Sequence, residues 1–226
     1  MPPPYQQPHW EVFCNIPYQP AGPVGRPPRD WVITYGLNNL DGLPDLPDRM
    51  LDRAEVREIC QNHNYPVLYG YICAMAWGGQ GAGGRGRYVV VSWNERDLIR
   101  NRLEYLRSNN LDRRDAYNLF LKDNRVPGLG PAYFTKLLYF FSLEPTHYIM
   151  DQHTARSVNL LTGITVVRFA GDAVANTNKP GNYQAYCEEL DHMSTLLNVT
   201  GDKIEEMLMS KGGHNPWPWR AYMNNI

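Results

Sequence analysis

The 226-residue sequence has few cysteines, and their spacing does not indicate a metal site or a disulfide framework. The four cysteines are scattered and include no CxxC pair; they are Cys14, Cys60, Cys73 and Cys187. Structural zinc sites and iron–sulfur clusters use closely spaced thiolates, and small disulfide scaffolds use many cysteines. The sequence therefore argues against these three classes of protein.

Long hydrophobic runs are also absent. No stretch has the roughly 20 consecutive apolar residues that a membrane-spanning helix needs, and the proline-rich start has no apolar signal-peptide segment. We therefore expect a cytoplasmic protein without membrane contact, which acts as a monomer. A chain of 226 residues is long enough to bury its own hydrophobic core.

Strand patterns are rare and internal repeats are absent, whereas helical patterns recur, so we predict an all-α fold with two lobes. Residues 1–30 hold nine of the eighteen prolines, which predicts an irregular N-terminal arm over residues 1–48. We expect a first lobe that joins residues 49–90 to the C-terminal segment 166–226. Residues 91–165 would form the second helical lobe.

No charge of one sign dominates the chain, whose net charge is −1. The distribution is uneven, because residues 85–136 contain eleven Lys and Arg against six Asp and Glu. A basic middle between acidic ends suits a local DNA-binding surface. Charged residues at helical spacing also occur on ordinary solvated helices, and both interpretations remain open here.

A glycine-rich tract, GQGAGGRG, extends from Gly79 to Gly86 and formally contains the pattern GxGxxG. A dinucleotide-binding fingerprint needs a strand before the glycines and a helix directly after them. Here an apolar helix precedes the tract and the segment Tyr88–Val91 follows it. We therefore reject nucleotide binding and predict a mobile loop.

The segment Val126–Pro131, with the sequence VPGLGP, predicts a tight hairpin between two helices. The hairpin requires positive φ at Gly128 and allows it at Gly130, and it exposes backbone N–H groups to which a phosphate can bind. Asp151 follows about 20 residues later as the predicted N-cap of a third helix. A fixed carboxylate beside a bound phosphate can stabilise the positive charge that develops on a sugar when its glycosidic bond breaks. Each feature alone is also a common structural element.

Residues 112–161 resemble the helix-hairpin-helix, Gly/Pro-rich loop and aspartate (HhH-GPD) superfamily of DNA glycosylases. The stretches GLGPAYFTK, from Gly128, and YIMDQHTAR, from Tyr148, most resemble the 8-oxoguanine DNA glycosylase-like branch. The resemblance implies a two-lobed HhH-GPD fold and double-stranded DNA as the partner. It also implies base release without a cofactor or a metal.

By this resemblance Asp151 is the catalytic carboxylate, while Gly128, Gly130 and the backbone of Ala132 contact a DNA phosphate. Bifunctional members of the superfamily place a nucleophilic lysine two residues after the last hairpin glycine. Ala132 stands there in this sequence, which points to a monofunctional enzyme that leaves an abasic site. Lys136 lies one helical turn further, either as a substitute nucleophile or as a surface or phosphate contact.

An enzyme that acts on a stacked base must flip it out and fill the gap. In the superfamily the filling residue comes from the loop after the buried helix, so Gln80 is the predicted wedge, and Arg85 and Arg87 are predicted DNA contacts. Aromatic side chains are expected to line the base pocket, with these candidates: Trp77, Tyr133, Trp217 and Trp219.

Two other functions compete with this interpretation. His147, Asp151 and His153 form the pattern HxxxDxH, which indicates a possible metal-dependent hydrolase. A non-catalytic helix-hairpin-helix module that only binds DNA is the other alternative.

The excised base does not follow from the residues. It is either an 8-oxoguanine-like base in DNA repair or a hypermodified base of phage DNA. A glucosylated hydroxymethylcytosine is one such hypermodified base, and its excision would serve antiviral defence.

Overall fold

The computed structural model describes residues 4–20, 22–81, 84–121, 125–210 and 216–226. In chain order the helices are α1 (His9–Cys14), α2 (Pro28–Tyr35), α3 (Arg53–Gln61), α4 (Val67–Trp77), α5 (Gly86–Asn94), α6 (Arg96–Ser108), α7 (Arg113–Asn118), α8 (Pro131–Phe141), α9 (Gln152–Thr162), α10 (Pro180–Leu197), α11 (Gly201–Met209) and α12 (Pro218–Met223). A two-stranded antiparallel sheet, β1 (Phe169–Ala170) with β2 (Ala173–Val174), lies between α9 and α10. The predicted all-α fold class is confirmed.

The chain divides into two compact units. The middle unit comprises residues 22–147, and the terminal unit joins residues 1–21 to residues 148–226. This division differs from the predicted lobes, because residues 49–90 form a unit with residues 91–147. Helix α4 explains the difference, since α2, α3, α6 and α8 all pack against it within the middle unit.

Helix α4 is the centre of the middle unit. All of its residues from Val67 to Trp77 are buried, as expected for a helix that is apolar on every side. Gly70 allows close packing, because a Cβ atom there would lie 2.9 Å from the Phe141 ring and 3.2 Å from Cys60 Sγ. No helix within the described ranges has the length and hydropathy needed to cross a membrane.

The N-terminal arm is more regular than the sequence predicted. Helix α1 buries Trp10 and Phe13 in the terminal unit, and α2 buries Trp31 in the middle unit. Proline does not prevent α2, because Pro28 occupies its first turn, where a fixed φ and a missing N–H are tolerated. The arm is therefore shared between the two units.

The glycine tract is followed by a helix, since α5 begins at Gly86. The segment Tyr88–Val91, for which the sequence predicted no helix, lies within α5, and the element before the tract is a helix rather than a strand. The described part of the tract is also anchored, because Trp31 Nε1 donates to Gln80 O over 2.9 Å. A Cβ atom on Gly81 would lie 2.4 Å from the Tyr35 ring. Ala82 and Gly83 lie outside the described residues.

Candidate active site

A tight turn connects the segment after α7 to α8 in the middle unit. Leu129 N donates to Val126 O over 3.1 Å, and Gly128 has a φ of 79°. This hydrogen bond, with proline second and a positive-φ glycine third, is typical of a type II turn. Positive φ is thus confirmed at Gly128, while Gly130, where the sequence left it open, has a φ of −84°.

The turn packs directly against α5. A Cβ atom on Gly128 would lie 2.4 Å from Tyr88 O and 3.0 Å from Ser92 N. Gly130 is the N-cap of α8, Pro131 is its first residue, and Ala132 is the second. The first-turn N–H groups have no acceptor inside an α-helix and carry the positive end of the helix dipole. This end of α8 therefore has the local polarity that an anion requires.

Lys136 is buried, with an exposed fraction of 4%, which corrects the expectation of a surface lysine. Its Nζ donates to Ala132 O over 3.0 Å and lies 5.3 Å from the centre of the Tyr133 ring. The aliphatic stem crosses Gly78, where a Cβ atom would lie 2.6 Å from Lys136 Cδ. The structure thus brings together Ala132, Tyr133 and Lys136 beside the end of α4.

Asp151 is the N-cap of α9, and its exposed fraction is 8%. Its Oδ1 accepts hydrogen bonds from His153 N at 2.8 Å and Thr154 N at 3.0 Å. The hydroxyl of Thr154 lies 3.1 Å from Asp151 N and accepts from it, which completes a capping box. The carboxylate is therefore held by backbone donors in one orientation.

Buried side chains hold the segment that leads into Asp151. Tyr183 Oη donates to Tyr148 O over 2.9 Å, and Tyr186 Oη donates to Ile149 O over 2.7 Å. The Glu205 carboxylate accepts from Ile149 N at 3.2 Å. These residues lie far along the chain from Asp151, and no sequence pattern had identified them.

The C-terminal helix α12 supports the same region of the terminal unit. Trp219 Nε1 donates to Ser157 Oγ over 2.9 Å, and the buried Arg220 donates to Ser210 O over 2.9 Å and also to Met209 O. Burial lowers the pKa of Arg220, while the charge of Asp151 acts in the opposite direction. The charges of Arg220 and Asp151 therefore attract each other.

Three residues that were predicted to contact DNA or the flipped base are buried in the structure. Gln80 is 1% exposed, and its Nε2 lies 3.3 Å from Ser92 Oγ, so the structure corrects the expectation of an exposed wedge. Trp219, a predicted candidate for the base-pocket wall, is buried within helix α12. Trp77 is buried with its ring edge-on to Phe140.

Other predicted residues are accessible. Arg85 and Arg87 are exposed at the start of α5, Tyr133 is half-buried, and Trp217 is a half-buried N-cap of α12. Residues 211–215, which precede Trp217 by two or more positions, lie outside the described residues.

The alternative metal site at His147, Asp151 and His153 is not assembled within the described residues. Within the part of the chain that the structure describes, no group of three or more His, Cys, Asp and Glu side chains is placed to hold a metal ion. His147 instead lies with Nε2 3.2 Å from Leu111 O, and His153 Nε2 lies 3.0 Å from Gln152 Nε2. The metal-dependent alternative therefore loses its ligand set.

A family model described as "Putative 8-oxoguanine DNA glycosylase OGG-like protein" matches residues 23–209. This range is more than four fifths of the sequence, and the chain belongs to that family. The family supports a DNA glycosylase at a coarse level, with DNA as the partner, and the resemblance found from the motifs is confirmed. Neither the curated proteins nor the solved structures gave a significant match.

We predict that Gly128→Ala destabilises the protein by about 3 kcal/mol, because it combines positive φ with a backbone clash. Gly42→Ala is the matched control, since Gly42 has the same φ of 79° but nothing within 4 Å of a Cβ atom. It should cost only about 1 kcal/mol. Urea unfolding of both variants measures the difference. Equal losses would contradict close packing of the turn on α5.

We predict that Tyr186→Phe lowers the free energy of unfolding by about 1 kcal/mol, because Ile149 O keeps only its bond from the Thr154 hydroxyl. Tyr105→Phe is the control, since Tyr105 is 50% exposed. Thermal unfolding should separate the two variants. An unchanged Tyr186→Phe protein would show that this hydroxyl does not hold the segment before Asp151.

We predict that His147 makes the protein less stable in acid. Burial lowers the pKa of His147 from 6.5 to about 4, with smaller effects from Arg113, Asp112 and Arg57. Between these values the unfolded chain binds a proton that the folded chain does not, so stability falls as the pH drops from 6.5 to 4.

The loss attributable to His147 should be of the order of 3 kcal/mol across that range, and it should disappear in His147→Gln. Urea unfolding of both proteins at pH 7 and pH 4.5 isolates this contribution from that of the carboxylates. Parallel pH profiles of the two proteins would disprove it.

Proposed function

We propose that the protein hydrolyses the N-glycosidic bond of a flipped base in double-stranded DNA and leaves an abasic site. The observation that carries this proposal is the placement of Asp151 as a buried N-cap, with its carboxylate held by His153 N and Thr154 N. Membership of the OGG-like family supports the same reaction class. The protein acts as a monomer and needs no cofactor for this reaction.

Asp151 acts on the sugar in this mechanism. As the bond between the base and C1′ breaks, positive charge develops on the deoxyribose, and a nearby carboxylate stabilises it. Water adds its hydroxyl to C1′ and its remaining proton goes to the solvent or to the departing base. Because Asp151 is already fixed by its capping bonds, little reorganisation accompanies the reaction.

The turn before α8 binds the DNA backbone. Gly128 makes the tight turn, and the N–H groups of Gly130 and Ala132 lie at the positive end of an eleven-residue helix. Contacts of this kind position DNA without reading its sequence. The exposed Arg85 and Arg87 of the same unit add charge that suits phosphate.

Two observations support a monofunctional enzyme. Ala132 occupies the position where bifunctional relatives place their lysine nucleophile. The amine of Lys136, one turn further, donates to Ala132 O over 3.0 Å and is therefore held against its own helix. We assign Lys136 a local role, in which its amine donates to Ala132 O and lies over the Tyr133 ring, rather than attack on the sugar.

The family description makes an 8-oxoguanine-like base the first candidate substrate. The second candidate is a hypermodified base of phage DNA, such as a glucosylated hydroxymethylcytosine, in antiviral defence. Support for it rests on the departure at Ala132, where bifunctional relatives have a lysine. Trp77 and Trp219 are buried, which leaves Tyr133 and Trp217 as the more accessible candidates for a pocket wall.

A base-release assay with Asp151→Asn tests the proposal. Duplexes carrying 8-oxoguanine, uracil, alkylated bases or no damage, together with hypermodified phage DNA, are incubated with each protein and then treated with or without alkali. We expect strand breaks only after alkali, and a rate at least about a hundredfold lower for Asp151→Asn. Asparagine caps a helix as well as aspartate does, so this variant keeps its fold.

Lys136→Gln is the companion variant for strand cleavage. We expect it to change neither the alkali dependence nor the identity of the released base. Breaks without alkali that vanish in Lys136→Gln would overturn the monofunctional assignment. Equal DNA binding by wild type and Asp151→Asn, with no base released from any duplex, would instead favour the non-catalytic binding module.

A further inference from the structure

Helix α5 exposes apolar side chains on its outer face. Tyr88 is 39% exposed, Val90 is 42% exposed and Val91 is 40% exposed. Tyr88 and Val91 are three residues apart and share one side of the helix. We call Arg87, Tyr88, Val90 and Val91 the outer face of α5. A cluster of exposed apolar side chains on one helix often marks a surface that binds a partner.

The orientation of this outer face is fixed by the buried side of the same helix. Val89, Ser92 and Trp93 are buried, in register with helical periodicity. Trp93 Nε1 donates to Asn38 O over 2.8 Å, and Ser92 Oγ lies 3.0 Å from Tyr71 Oη. The helix therefore cannot rotate to bury Tyr88 without breaking these contacts.

The outer face adjoins the turn to which we assign phosphate binding. Tyr88 O is the atom that a Cβ atom on Gly128 would approach to 2.4 Å. The backbones of the turn and of α5 are thus in direct contact within the middle unit. Tyr88 therefore lies on the helix that borders the proposed phosphate site.

The charge on the outer face also fits DNA. Arg85 and Arg87 are exposed, and Arg87 Cζ lies 4.8 Å from the centre of the Tyr88 ring. Arg87 Nη2 donates to Tyr88 Oη over 2.9 Å. An arginine that covers an exposed ring in the free protein can move to a phosphate and leave the ring face available to a base.

We propose that Tyr88 enters the base stack of the bound duplex, next to the flipped nucleotide, with Val91 beside it and Arg87 on a phosphate. The proposal rests on the proposed function and changes the wedge from Gln80, which is buried, to Tyr88. Apolar and aromatic side chains are the usual wedges between base steps, because they offer a surface on which a base can stack. The partner of the outer face is accordingly the distorted duplex.

The test uses DNA in which the distortion is measured without base release. A duplex carries a tetrahydrofuran abasic analogue, which represents the reaction product whatever the excised base, with 2-aminopurine beside it as a fluorescent reporter of unstacking. Full-length wild type, Tyr88→Ala, Tyr88→Phe and Tyr88→Lys are titrated. Tyr105→Ala is the matched control, because Tyr105 is an exposed tyrosine of the same unit on α6.

We expect wild type, Tyr88→Phe and Tyr105→Ala to raise the 2-aminopurine fluorescence on binding, and Tyr88→Ala and Tyr88→Lys to lose that rise. On the base that wild type releases, kcat/KM should fall about ten- to a hundredfold for Tyr88→Ala and remain near wild type for Tyr88→Phe. Tyr88→Lys adds a cation that favours DNA binding, so a lost signal in that variant reports lost stacking rather than lost binding. Circular dichroism checks that each variant is folded. If Tyr88→Ala does not fold, the folded Tyr88→Lys variant alone tests the proposal.

Full fluorescence and full activity in both Tyr88→Ala and Tyr88→Lys would overturn the proposal. A change in self-association on sedimentation, with the DNA signal intact, would overturn it as well and make the outer face an interface between copies. If wild type releases no base but its fluorescence signal depends on Tyr88, the proposed function fails and the wedge stands. The two failures are therefore distinguishable.

Discussion

The position of Asp151 depends on how the buried backbone of residues 148–150 is hydrogen-bonded. Buried backbone groups need partners, and here side chains supply them: Tyr183 and Tyr186 from α10, Glu205 from α11 and Thr154 from α9. Three elements thus converge on one short segment of extended chain. Because the segment cannot shift without leaving these groups unsatisfied, the N-cap that follows it is fixed in place before any substrate binds.

A second constraint acts in the middle unit, where glycine permits contacts that a Cβ atom would block. Gly128 lies against the backbone of α5, Gly81 against the ring of Tyr35, and Gly78 under the stem of Lys136. At Gly128 the close neighbour is the backbone of α5, whereas at Gly81 and Gly78 it is a side chain, the Tyr35 ring or the Lys136 stem. The turn before α8 and α5 are consequently held in one arrangement.

Local patterns predicted a substantial part of this arrangement. The N-cap at Asp151, the positive φ at Gly128 and the burial of α4 each follow from a few neighbouring residues. Gln80, Lys136 and Trp219 were placed incorrectly because their surroundings are set by residues distant in sequence, namely Ser92, Gly78 and Ser157. Spacing along the chain carries no information about such partners. Residues 210–226 also lie beyond the matched family range, so neither motif nor family pointed to Arg220.

The sequence by itself determined the helical class, the family motifs and the chemistry available at Asp151 and at the turn, because these depend on helix propensity, capping and backbone freedom over short stretches. Only the tertiary structure decided which side chains are accessible. Gln80 turned inward because its amide and backbone find partners in Ser92 and Trp31, while Tyr88 turned outward because Val89, Ser92 and Trp93 occupy the buried side of α5. Exposure is a property of packing between distant segments, and it distinguishes the residue that can meet DNA from the one that supports it.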